Sequence, residues 1–144
     1  MMNTQDRQGY RWGVVIAGIA VLVVVMLCVV ANRPADTSHV QYTYSASSKF
    51  SKAQLDAAGK TVTRSFSGFT GCTLNKVSYD ESTADKFLDW EYDENDRERM
   101  FVATVDFTCD GSDMSLSKGP QSMSWYLRLN DDGKTWKEID HGNG

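Results

Sequence analysis

Histidine is nearly absent from this sequence: only His39 and His141 occur in 144 residues. A histidine-based metal site or general base is therefore poorly supplied. Cysteine is scarce too, with Cys28, Cys72 and Cys109. No C-x-x-C spacing is present, which removes the usual redox-active pair. No G-x-S-x-G elbow occurs. Gly59-Lys60-Thr61 and Gly133-Lys134-Thr135 lack the upstream glycine and strand of a phosphate loop. No internal repeat is visible, and no motif asks for a cofactor.

An excess of basic charge is also missing. The net charge is -4, from 15 basic and 19 acidic side chains. Setting aside Arg7, Arg11 and Asp6 of the first twelve residues leaves 13 basic and 18 acidic. Nine of those acids, against three bases, fall between Asp80 and Arg99. Nucleic acid needs a basic footprint, so it is not an expected partner.

What the sequence does have is one long apolar run. Gly13 to Ala31 carries no charge over nineteen residues. As a helix it measures about 28 Å, close to the hydrocarbon core of a bilayer. Tyr10 and Trp12 stand at one end, where amphipathic rings favour the interface. Arg7 and Arg11 precede the run and Arg33 follows it, a bias that places the amino end in the cytoplasm. A cleaved leader is the competing reading, with Val29-Val30-Ala31 as its processing site, but leader cores are usually shorter. Leu27 before Cys28 does not fit a lipoprotein signal, and Cys28 reads as a small hydrophobe.

The expected order is a cytoplasmic tail over 1–12, a transmembrane helix over 13–31, a stalk over 32–49 and an extracytoplasmic domain over 50–144. The stalk reading rests on a polar, Ser- and Thr-rich composition. Alternation at Val40, Tyr42 and Tyr44 offers a short edge strand as a lesser alternative.

Ser51 and Gln54 form a capping-box pattern, flanked by a staple of Phe50 and Leu55. Leu55, Ala58, Val62, Phe66 and Phe69 then recur at helical spacing. Gly59 inside this helix implies close approach to the sheet. Strands are expected at Cys72–Tyr79, Leu88–Tyr92, Met100–Cys109 and Ser122–Asn130, with an edge strand at Lys134–Ile139. Trp136 and Ile139 lie three apart, so facing both inward needs a bulge. The fold class is α+β: one helix packed on a curved antiparallel sheet of four to five strands.

Cys72 opens one expected strand and Cys109 closes another. Antiparallel pairing in that register sets Leu74 against Phe107 and Ser78 against Ala103, and brings the sulfurs together. An oxidising compartment permits the disulfide.

Dense carboxylates from Asp89 to Arg99 raise the question of calcium, but the glycine and final glutamate of an EF-hand loop are missing. A solvated turn with Arg97 and Arg99 pairing locally is the plainer account. Trp90, Tyr92, Asp93, Glu94, Asp96 and Tyr126 are the candidate interaction surface. Asp131, Gly133, Thr135 and Trp136 match the D-x-G-x-T-W hairpin of sialidase propellers, which is structural there and implies a stable turn here.

Phe50-Ser51 with Leu55, then Phe69-Thr70-Gly71-Cys72-Thr73-Leu74 with Tyr79-Asp80-Glu81, then Trp125-Tyr126-Leu127 and the Asn130 to Trp136 turn resemble small extracytoplasmic domains of Gram-positive bacteria. Those domains carry a lipid or helix anchor and an NTF2-like α+β character, so the resemblance implies an NTF2-like or cystatin-like sheet here. The resemblance spans Phe50 to Gly142 and implies an envelope location and a concave sheet face. It brings no catalytic residues.

Three functions are therefore carried forward. The first is a non-catalytic module binding an envelope protein or cell-wall polymer at the membrane. The second is a small-ligand pocket between helix and sheet, its ligand unknown. The third is an envelope hydrolase using two carboxylates.

Overall fold

In the computed structural model the chain is described over residues 4–31, 33–89 and 92–142, with the N-terminal helix described in its side chains from 12 to 28. It separates into two units, Met1–Arg33 and Pro34–Gly144.

The first unit is one helix, α1 (Thr4–Ala31). Its described side chains are all exposed, including Ile16, Leu22 and Met26. Among the described residues no helix is long and apolar enough to cross a membrane. The described side chains of α1 stop at Cys28, three residues before the uncharged run ends at Ala31.

In the second unit, period-two alternation builds a five-stranded sheet in the order β1 (Gln41–Tyr44), β2 (Cys72–Tyr79), β3 (Met100–Cys109), β4 (Gly119–Leu129), β5 (Trp136–Gly142). The fold class is α+β, but the sheet is mixed: β1 runs parallel to β2, and the other neighbours are antiparallel. The parallel pair follows from chain order. A helix, α2 (Lys52–Phe66), carries the chain from β1 back to the start of β2, the crossover that parallel strands require.

This corrects the stalk. The segment from Pro34 to Lys49 belongs to the folded unit. Ala35 is buried, Asp36 bridges to Thr73, and the Asp36 amide donates to the Cys72 carbonyl at 2.8 Å. Serine-rich composition described that segment's surface. Tyr42 and Tyr44 dock it, because they pack on α2 at Gly59. A Cβ on Gly59 would lie 2.0 Å from the Tyr44 hydroxyl and 3.0 Å from the Tyr42 ring.

The α2 cap forms as the sequence implies. The Gln54 amide donates to Ser51 Oγ at 3.3 Å and the Ser51 amide donates to Gln54 Oε1 at 2.8 Å. Leu55, Ala58, Val62 and Phe66 are buried, and Phe69, past the helix end, stacks on Phe66 with centroids 4.8 Å apart. They meet Phe101, Ala103, Val105 and Phe107, which share one face of β3 and are fully buried.

Of the expected strand at Leu88–Tyr92, Leu88 ends a helix and Asp89 caps it, while Trp90 and Glu91 lie outside the described residues. Residues Glu81–Leu88 form a helix, α3, capped by Asp80, whose carboxylate accepts from the Thr83 amide at 2.9 Å. A one-turn helix, α4 (Glu94–Arg97), follows under an Asp93 cap. Alternating apolar and polar residues at Leu88, Asp89, Trp90 mimicked a strand. The Asp80 cap, with Ala84 and Leu88 buried four apart, decides for helix. Consequently the sheet is covered on both faces. Met100 and Val102 are buried out of phase with Phe101 and Ala103, on the side where α3 contacts β3.

Cys72 and Cys109 form the expected disulfide, directly opposite one another with Cα atoms 4.0 Å apart. Leu74 pairs with Phe107 as expected, but Ser78 pairs with Thr104 in place of Ala103. A bulge between Leu74 and Lys76 causes the shift. Leu74 and Val77 are both buried yet three apart, and only an extra residue turns both inward. β5 makes the opposite choice. A bulge leaves Ile139 42% exposed while Trp136 is buried.

Candidate functional site

The residues proposed as an interaction surface are largely engaged within the fold. Asp93 accepts from the Asp96 amide at 2.9 Å, and Asp96 pairs with Arg128 at 2.7 Å. Tyr92 and Tyr126 are half-buried and packed against the core. Glu94 is exposed, and Trp90 lies outside the described residues. Arg97 does pair locally, with Asp89, but Arg99 reaches across to Asp131 at 2.8 Å. No group of three metal-ligating side chains is found among the described residues. The acidic run thus acts as a clamp between α4 and the end of β4.

A different place on the molecule has the shape of a site. A cleft of about 330 Å³ opens on the face of the sheet that α3 covers. Its floor is Thr43, Ser78 and Thr104, from β1, β2 and β3, beside Val102. The three hydroxyl residues form a single row, since Thr43 pairs with Ser78 and Ser78 with Thr104. Thr83 and Phe87 of α3 make one wall, with Phe87 38% exposed. The ends of β1 and β2, up to Ser45 and Asp80, close the rim. A second hollow of about 560 Å³ lies beside the first turn of α2, lined by Tyr44, Ser47, Phe50 and Leu55 among others.

The first cleft exists because residues 45–49 fasten α3 to the sheet edge. Glu81, in the first turn of α3, receives the Ser47 hydroxyl, the Ser48 hydroxyl at 2.5 Å and the Ser48 amide at 2.9 Å. Lys49 pairs with Asp85 one turn later at 2.5 Å, its side chain only 11% exposed. Burial by itself would raise the Glu81 carboxyl. The bonds from Ser47, Ser48 and the Lys49 amide outweigh it and hold the group below its ordinary range. Asp80 is held low as well, chiefly by the Ser82 and Thr83 hydroxyls. Both carboxylates are ionised near neutral pH. Tyr79 moves the other way: burial pushes its phenol up to about 12, and Tyr44 rises for the same reason, so both remain neutral donors.

Between α2 and the sheet the space is filled. Phe66 meets Phe107 at 5.2 Å, Tyr79 stacks on Phe101 at 4.8 Å and Phe50 packs edge-on to Trp136 at 5.1 Å. A serine, a carboxylate and a histidine converge nearby, but in the wrong order for nucleophilic catalysis. Glu138 sits in the middle, accepting from the Ser65 hydroxyl and bonding His141 Nδ1 at 2.7 Å, while His141 stacks on Trp125 at 4.4 Å. A serine nucleophile needs its imidazole next to the hydroxyl.

The cleft was not legible in the sequence. Thr43, Ser78 and Thr104 carry no motif, and they become neighbours only through strand register. The one readable signal was alternation at Tyr42 and Tyr44, which marks Thr43 as outward. No protein-family model matches the chain, and neither does any curated protein or solved structure.

Proposed function

We propose that the chain is a membrane-anchored, non-catalytic binding module, with its α+β domain outside the cytoplasmic membrane and its amino end within. The nineteen uncharged residues Gly13–Ala31, inside a 28-residue helix, support the anchor. The Cys72–Cys109 disulfide supports an oxidising compartment. The resemblance to anchored Gram-positive envelope domains points the same way.

One observation carries the binding role: the open cleft between α3 and the row Thr43, Ser78, Thr104. Its volume is at the lower end of ligand sites. The filled interior between α2 and the sheet favours this face over an interior pocket. Asp80 and Glu81, both held low, do not suit the acid role that a two-carboxylate hydrolase keeps protonated.

Crosslinking in intact cells tests this reading, with α1 alone as the control. The full chain is expected to capture an envelope partner that the bare helix does not. A tag at Gly144 is expected to be reachable from outside. Identical captures from chain and helix, or a tag shielded by the intact cell, would overturn the proposal.

A further inference from the structure

We propose that the cleft beside α3 binds a neutral saccharide, with the sugar's apolar face on Phe87 and its hydroxyls on the row Thr43, Ser78 and Thr104. This deepens the binding-module reading and rests on it.

The lining decides the ligand class by charge first. Among the described residues it holds no lysine, arginine or histidine, and its one carboxylate is Asp80. An anionic ligand would meet the Asp80 carboxylate inside the cleft, while Lys86 of α3, the one cation acting on that carboxylate, stands outside the lining. A strongly cationic one would find a single acid where a cluster is wanted. An uncharged, polyhydroxylated ligand meets neither obstacle.

Hydrogen-bond character decides next. Thr43, Ser78 and Thr104 stand on three adjacent strands, so their hydroxyls repeat at roughly 4.8 Å across the sheet. Each hydroxyl both donates and accepts, matching a sugar hydroxyl in either orientation. Ser78 Oγ already donates to the Thr104 carbonyl at 3.2 Å, which leaves its lone pairs turned to a ligand donor. Asp80, ionised at neutral pH, is a charge-assisted acceptor at the rim.

Shape decides last. Phe87 is among the few large apolar side chains of the folded unit left exposed, and it stands on the wall of this cleft. An exposed aromatic ring over a hydroxyl floor offers the two surfaces a pyranose presents, a C–H face and a polar edge. Val102, beside the row, gives an N-acetyl methyl a place to lie.

The test is titration of the full chain in nanodiscs with N-acetylglucosamine tetramer, read by NMR of the methyls of Val102, Thr43 and Thr104. Saturable shifts confined to those methyls are expected. Phe87→Ala is expected to weaken binding about tenfold or more, and Phe87→Trp to preserve it. Thr104→Val, which keeps the shape and removes the hydroxyl, is expected to weaken it several-fold. The saccharide assignment falls if these methyls do not move, if the shifts lie beside α2, or if Phe87→Ala binds as the parent does. Should it fall while the envelope crosslinks persist, the binding-module reading survives. Should the crosslinks vanish as well, both fall.

Discussion

Gly59 illustrates a single residue weighed between two energies. Alanine in its place would gain about 1 kcal/mol of helix propensity. It would also drive a methyl into the Tyr44 hydroxyl and the Tyr42 ring, at 2.0 and 3.0 Å. Overpacking of that kind costs about 1–3 kcal/mol. Gly59→Ala is therefore expected to lower stability in chemical denaturation, and a rise in the unfolding midpoint would show that β1 is loosely docked. The Asn130–Trp136 turn sets two neighbouring aspartates against each other. Asp132 accepts the amides of Lys134 and Thr135 at 2.8 Å and the Thr135 hydroxyl at 2.5 Å, which holds its carboxyl down at about 2. Asp131, the motif's aspartate by spacing, faces solvent and pairs with Arg99. Asp132→Ala is expected to lower the melting temperature clearly and Asp131→Ala hardly at all. Equal effects would restore the motif's own alignment.

At the scale of elements, the decisive pairing is residues 45–49 with α3. Glu81 is the hub, and its worth depends on ionised oxygens accepting several donors at once. Glu81→Gln keeps the shape and loses the charge. The expected cost is about 1 kcal/mol after allowing for solvent screening. Amide exchange is expected to speed up in residues 45–49 and in the first turn of α3, with the core strands unchanged. Exchange that rises evenly across the sheet would mean that the hub supports the whole fold. The same local contacts shape the cleft, so this variant also reports whether the wall formed by α3 is held from its N-terminal end.

For the whole molecule, two conditions bracket stability. Asp36, Asp80, Glu81, Asp113 and Asp132 are all held below their ordinary range in the folded state. Their contribution is fully present above the ordinary carboxylate range. It drains away as the pH falls through that range, ending for Asp132 near 2. Tyr79 and Tyr44 are raised, so their contribution holds below the ordinary tyrosine value and is lost as the pH climbs towards 12. Thermal melts across pH are expected to show a plateau from about pH 5 to 9 with falling shoulders on both sides. The disulfide adds a third lever. It closes a loop of 37 residues' separation, worth about 4 kcal/mol in the chain-entropy account. Reduction is expected to lower the unfolding free energy by roughly that amount, and a change under about 1 kcal/mol would mean that the pairing of β2 with β3 already holds the two ends.

Local chemistry was written plainly in the sequence. Ser51 and Gln54 set the start of α2, alternation set the buried face of β3, and the matched ends of two strands set the Cys72–Cys109 bridge. The β2 bulge was not read there: an unbroken register set Ser78 against Ala103, and the fold pairs it with Thr104. The cap and the buried face depend on residues close in sequence or on a period along one segment, and the bridge, though it joins cysteines 37 residues apart, follows from matching two such periods. The docking of β1, the covering of the second sheet face by α3 and the assembly of Thr43, Ser78 and Thr104 into one floor depended on tertiary structure alone. They join different elements without a motif to mark the partner, and their stabilising contacts do not exist until a strand register has been chosen.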